Sequence, residues 1–121
     1  MTINKRIKGQ EGEKIACDYL EKNGYKIIET NYHYSKFAEI DIIACKNNVL
    51  TFVEVKARST VNYGHPLESI SHTKLERLFM AMLDYMTKHS NKKYSKFQLD
   101  VVSIIGFNNP KIEHLENVGL E

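Results

Sequence analysis

Apolar and polar residues alternate, or nearly alternate, through two neighbouring stretches, residues 37–46 and 49–58. That period of two is the signature of a half-buried strand. Asn47 and Asn48 separate the stretches, and asparagine tolerates the left-handed backbone that a two-residue hairpin turn requires. The pattern therefore predicts a tight antiparallel hairpin in which Lys46 pairs with Val49. In that register Asp41 lies opposite Glu54, Glu39 lies opposite Lys56, and all four project from one face. Two carboxylates facing each other across a ladder repel, so the arrangement invites a cation between them.

The remaining pattern builds around this hairpin. Residues 8–23 carry a helical stripe of Gly12, Ile15, Ala16, Tyr19 and Leu20, with Glu11, Lys14, Asp18, Glu21 and Lys22 on the other side and Gly24 as the stop. Glu13 breaks the pattern, because it shares a stripe with Ala16, Cys17 and Leu20; it either reaches past the core or points into a site. Residues 25–32 read as a strand and 59–66 as a loop punctuated by Gly64 and Pro66. A long helix follows from a cap at Ser71 or Thr73 to about His89, with Leu75, Leu78, Phe79, Met82, Leu83 and Met86 as its apolar stripe. After a basic loop at 91–96 come a strand at 97–105, an Asn108-Asn109-Pro110 turn and a short strand at 111–115. Helix, three strands, helix and two strands describe an α/β fold: a mixed central sheet with an N-terminal helix and a long helix packed on it.

With 121 residues, 42% hydrophobic and 26% charged, the chain suits one domain over residues 1–121. It has no apolar run of membrane-spanning length and no apolar signal core at its start, so a cytoplasmic protein that does not insert in a membrane is expected. Cys17 and Cys45 have no metal-type spacing and read as small buried apolar residues. The five histidines, His33, His65, His72, His89 and His114, show no paired ligand spacing, which argues against a histidine metal site. The net charge of +2 is unevenly spread. Residues 56–96 hold eight bases against three acids, whereas residues 37–55 hold three acids against Lys46 alone. An acidic focus with basic flanks suits a phosphodiester substrate and a divalent metal, although charges on a solvated surface would look similar.

Magnesium and manganese prefer oxygen ligands, commonly one or two carboxylates with water and phosphate oxygens. Asp41 and Glu54 offer those carboxylates, the carbonyl of Val55 offers a further ligand, and Glu13 could complete the set. Lys56 could orient an attacking water or offset charge on the scissile phosphate. Lys74 and Arg77, one helical turn apart, are candidates for phosphate contacts, as is Arg58 beside the loop. Tyr32, Tyr34 and Tyr63 could stack on bases or simply pack, and His65 could meet substrate from its loop. Asp100 interrupts an apolar strand and needs a partner, for which Arg58 or Lys56 is the candidate.

Glu13, Asp41 and Glu54-Val55-Lys56 together resemble the active-site pattern of restriction-endonuclease-like nucleases. More narrowly the chain resembles the small bacterial YraN family, through Gly12-Glu13, Ala16, Tyr19-Leu20, Gly24-Tyr25, Asn31, Glu39-Ile40-Asp41, Phe52 to Lys56, Arg58, Gly64, Pro66, Lys74 and Asp100-Val101-Val102. That family is similar in layout to archaeal Holliday-junction resolvases. The resemblance implies an α/β/α endonuclease-like core, catalytic roles for Glu13, Asp41, Glu54 and Lys56, a magnesium or manganese cofactor, DNA as partner and branched or structured DNA as substrate. A homodimer would give a junction-cutting protein its two sites. Two departures stand out: Ala38 where the family usually has glycine, and Gln98-Leu99 where it usually has Arg-Phe before the later aspartate. The second removes an arginine that the resemblance would place either on the substrate or in a salt bridge with Asp100. A nuclease fold used as a non-catalytic nucleic-acid or protein-binding module is the alternative reading.

Overall fold

A computed structural model describes residues 5–59, 65–89, 94–106 and 108–119. Its elements are α1 (Lys5–Lys22), β1 (Lys26–Ser35), β2 (Ala38–Lys46), β3 (Val49–Arg58), a 3-10 turn (Pro66–Ser69), α2 (His72–Lys88), β4 (Lys96–Ile105) and β5 (Lys111–Leu115). The five strands form one mixed sheet in the order β1-β2-β3-β4-β5. All pairs are antiparallel except β3 and β4, which run parallel and are joined through α2. This is the expected α/β architecture. Tyr63, Gly64 and the basic residues Lys92 and Lys93 lie outside the described residues.

Local chemistry explains the boundaries. Gly24 closes α1 at φ +89°, and Tyr25 N returns to the Leu20 carbonyl, the bond pattern of a left-handed helix stop. Ser71, rather than Thr73, caps α2 by accepting the backbone N–H of Lys74 at 3.0 Å. Asn47 and Asn48 take φ of 53° and 64°, the paired left-handed turn that matches strand twist. The register is the expected one, from Lys46↔Val49 to Ile42↔Val53.

Neighbouring residues of β2 and β3 pack into different clusters: Ile43 and Phe52 join α2, while Ala44 and Val53 join α1. The sheet is therefore covered on both faces. Fully buried side chains such as Phe52, Leu20 and Ile43 each contribute roughly 1.5–3 kcal/mol on removal from water. α1 comes close to the sheet at Gly12, where an added Cβ would stand 2.6 Å from the Cβ of Ala57. This tight approach carries Glu13 to the sheet. Cys17 and Cys45 are only half-buried, which corrects the expectation of fully interior thiols. Among the described residues, no helix is long and apolar enough to cross a membrane.

Candidate metal and phosphate site

The ladder between β2 and β3 ends at Ile42↔Val53, one rung short of Asp41 and Glu54. Beyond it the Val55 N–H donates to the Asp41 carboxylate, at 2.8 Å, in place of a backbone carbonyl. Regular alternation also fails here. Ile40 packs in the α2 cluster and Ile42 in the α1 cluster although they are two residues apart, so β2 twists at Asp41. The two strands fork, and the gap opens into a cleft of about 520 Å³ lined by Glu13, Asp41, Glu54, Val55, Lys56, Arg58 and Lys74. A strand residue sends its N–H and C=O to the same edge, so the Val55 carbonyl faces that gap.

Glu54 is buried, at 3% exposure. Lys74 Nζ stands 2.8 Å and Lys56 Nζ 3.7 Å from its Oε2. Both ammonium groups act on this one oxygen through charge, Lys74 the more closely, so Glu54 is held as a paired carboxylate. Burial first, then the charge of Glu54 beside it, pushes Asp41 far above the usual carboxylate range; the Val55 N–H offsets this in part. Burial also raises Glu13, against the hydrogen bond from Asn31, and Glu39 and Glu54 add to the rise. Lys74 is partly desolvated, which disfavours its charge, yet the hydrogen bond and charge of Glu54 hold its ammonium above the ordinary value. Three carboxylates gathered in one cleft fit a hard divalent cation.

The structure thus brings Glu13, Asp41, Glu54, Val55 and Lys56 to one cleft, with Arg58 and Lys74 on its wall. Arg77 lies in an adjoining hollow of about 210 Å³ that shares Asp41, Glu54 and Lys74. Two expectations need correction. Glu39 meets His33 of β1 at 3.4 Å rather than Lys56, because β2 stays paired with β1 after it has left β3. Asp100 meets Gln98 at 2.9 Å, His114 at 2.7 Å and the Asn117 N–H at 3.0 Å. It stands beside Val53 on β3, too far back along the strand for Lys56 or Arg58. Gln98 serves Asp100 as a neutral donor. Arg58 donates to Ser69 Oγ at 3.0 Å.

Tyr32 is engaged by Asp84 at 2.6 Å, and His65 caps the 3-10 turn by accepting from Leu67 N. Sequence reasoning named Asn31 but missed its role beside Glu13, which it reaches with a φ of 55° inside a strand. It also missed the role of Lys74. A lysine in the first turn of a helix opposes the helix dipole, and here it occupies the position where a capping box would carry Glu or Gln. Asp100, His114 and Glu116 each offer a ligand atom within 4.8 Å of the others. His114, however, uses Nε2 on Asp100 and Nδ1 on Tyr19, and this closed network ties β5 and α1 to β4.

The fold and this cleft define a mixed-sheet α/β protein with an acidic, lysine-flanked gap between two strands. The chain belongs to the uncharacterised protein family UPF0102, whose model matches residues 12–104. It is 41% identical over 109 residues to a UPF0102 protein of Alkaliphilus metalliredigens, covering 90% of this chain and 94% of that one. A UPF0102 protein of Persephonella marina is 40% identical over 111 residues, covering 92% and 91%.

Proposed function

We propose that this protein is a restriction-endonuclease-like, metal-dependent nuclease that hydrolyses phosphodiester bonds in branched or structured DNA in the cytoplasm. The observation that supports the reading is the strand fork, where Asp41 and buried Glu54 stand side by side with the Lys56 and Lys74 ammonium groups against Glu54 Oε2. Asp41, Glu54 and the Val55 carbonyl would hold Mg2+ or Mn2+, with Glu13 completing the set from α1. The ion supplies Lewis acidity and lowers the pKa of a bound water. Lys56 orients the attacking water or offsets charge on the scissile phosphate. Arg58, Lys74 and Arg77 position the phosphates on either side. Because Asp41 tends to hold a proton, cation binding releases it, and affinity rises with pH. A homodimer would present two such clefts to two strands.

Manganese titration and a cleavage assay on duplex, forked and four-way DNA test the proposal. Asp41→Asn or Glu54→Gln removes both binding and cleavage, whereas Lys56→Ala removes cleavage and leaves metal binding. A protein that cuts none of these substrates with either metal refutes it. One observation favours the non-catalytic alternative: the Lys74 ammonium already neutralises Glu54. That alternative expects salt-dependent DNA binding which persists in chelator and survives Asp41→Asn.

A further inference from the structure

Phe37 is 63% exposed at the turn between β1 and β2. Lys36 and Phe37 supply neither of the residues, glycine or asparagine, that ease a tight turn. Instead Ser35 Oγ steadies it by accepting the Phe37 N–H at 3.2 Å. An isolated exposed phenylalanine is ordinary; this one has three further properties. Lys36 Nζ lies 5.0 Å and the Arg77 guanidinium carbon 5.3 Å from its ring centroid, both within cation–π range. The ring also lines the hollow that contains Asp41, Glu54 and Lys74. Finally, Arg77 comes from α2 and Lys36 from the hairpin, so two elements converge on one aromatic side chain at the rim of the acidic cleft.

We infer that Phe37 is a stacking platform for an unpaired base, with Lys36 and Arg77 taking the phosphates beside that base. This rests on the nuclease reading and names its substrate class: DNA with a base freed from the helix, as at a fork or junction. The chemistry selects this occupant. A π-face accepts any base once the Lys36 and Arg77 cations over it turn to the phosphates, and those cations suit the polyanion that carries the base. A base in intact duplex is already stacked on its neighbours, so the ring would discriminate in favour of unpaired positions. The adjoining phosphate would then lie over the hollow shared by Asp41 and Glu54.

The test is binding in chelator, which separates it from cleavage. Wild-type protein and Phe37→Ala and Phe37→Trp variants are titrated with fork, single-stranded and blunt-duplex DNA carrying 2-aminopurine at an unpaired or a paired position. Wild type is expected to prefer the fork over the duplex and to quench the unpaired 2-aminopurine. Phe37→Ala should weaken fork binding by about tenfold, lose the quenching and bind duplex as before. Phe37→Trp should restore both. Equal fork binding by wild type and Phe37→Ala, an equal loss on duplex and fork, or no DNA bound by wild type would each overturn the platform. Quenching that depends on Phe37 in a protein without metal-dependent cleavage upholds the platform and sinks the catalytic reading. Cleavage that needs Asp41 and Glu54 but ignores Phe37→Ala does the reverse.

Discussion

Two buried carboxylate sites lie on the same sheet and are built in opposite ways. Asp100 is fully buried and meets three donors: an amide, an imidazole and a backbone N–H. Asp41 meets one backbone N–H and stands against a second acid, Glu54, which two lysine ammonium groups approach. The first is a satisfied network, which rigidifies a core. The second sets two acids side by side and offsets them with lysine charge and a raised Asp41 pKa, with one backbone N–H as the neutral donor to Asp41. The difference teaches that burial alone does not tell the two apart: one acid is met by donors, the other by neighbouring charges.

The comparison breaks most sharply at Glu54. Glu54→Gln should lower metal-dependent cleavage by at least about 100-fold, since a metal ligand supplies several kcal/mol to the transition state; retention of activity within twofold would remove the cleft from consideration. The converse is Asp100→Ala, which strands Gln98, His114 and the Asn117 N–H. It should destabilise the protein by about 2–4 kcal/mol in urea denaturation, with manganese affinity unchanged in the folded fraction. A third way concerns the approach that delivers Glu13. Gly12→Ala drives a Cβ against Ala57 and should cost about 1–3 kcal/mol, with weaker manganese binding as α1 backs away.

Asp41→Asn separates the two acids by pH. The folded-state pKa of Asp41 lies above its ordinary 3.8, so its contribution to stability is complete below that value and is lost as pH rises toward the folded pKa. The variant keeps an acceptor for Val55 N–H but has no charge to bury. Without metal, it should melt above wild type at pH 8 by several degrees, with the gap closing as pH falls toward 4. Added manganese should reverse the order by stabilising wild type only. The smallest effect is expected at Lys74→Met, which removes the ammonium competing for Glu54 and should tighten manganese binding severalfold. Weaker binding would mean that Lys74 supports the ion and does not compete with it.

Much of this was legible in the chain. Asn47-Asn48 fixed the hairpin register, and with it the neighbourhood of Asp41 and Glu54, because turn chemistry and alternation are local signals. The α1 face was legible from its stripe, and Glu13 from its break in that stripe. What could not be read depends on distant pairing. Lys74 reaches Glu54 only through the way α2 crosses the sheet, and the partner of Asp100, His114, arrives on a strand joined by a turn. The fork itself was invisible, since a regular ladder would have continued through Asp41 and carried Glu39 to Lys56. Phe37 gave one faint sign, a large aromatic residue where a turn former is usual.

The two left-handed asparagines have a consequence well away from their own position. A single residue inserted there would leave the existing core residues unchanged, yet slide one arm of the hairpin by one place and exchange which side chains meet α1 and which meet α2. Asp41 and Glu54 would part company, and the isoleucines of the shifted arm would meet the wrong helix. The chemistry of the cleft thus depends on the length of a turn that takes no part in it.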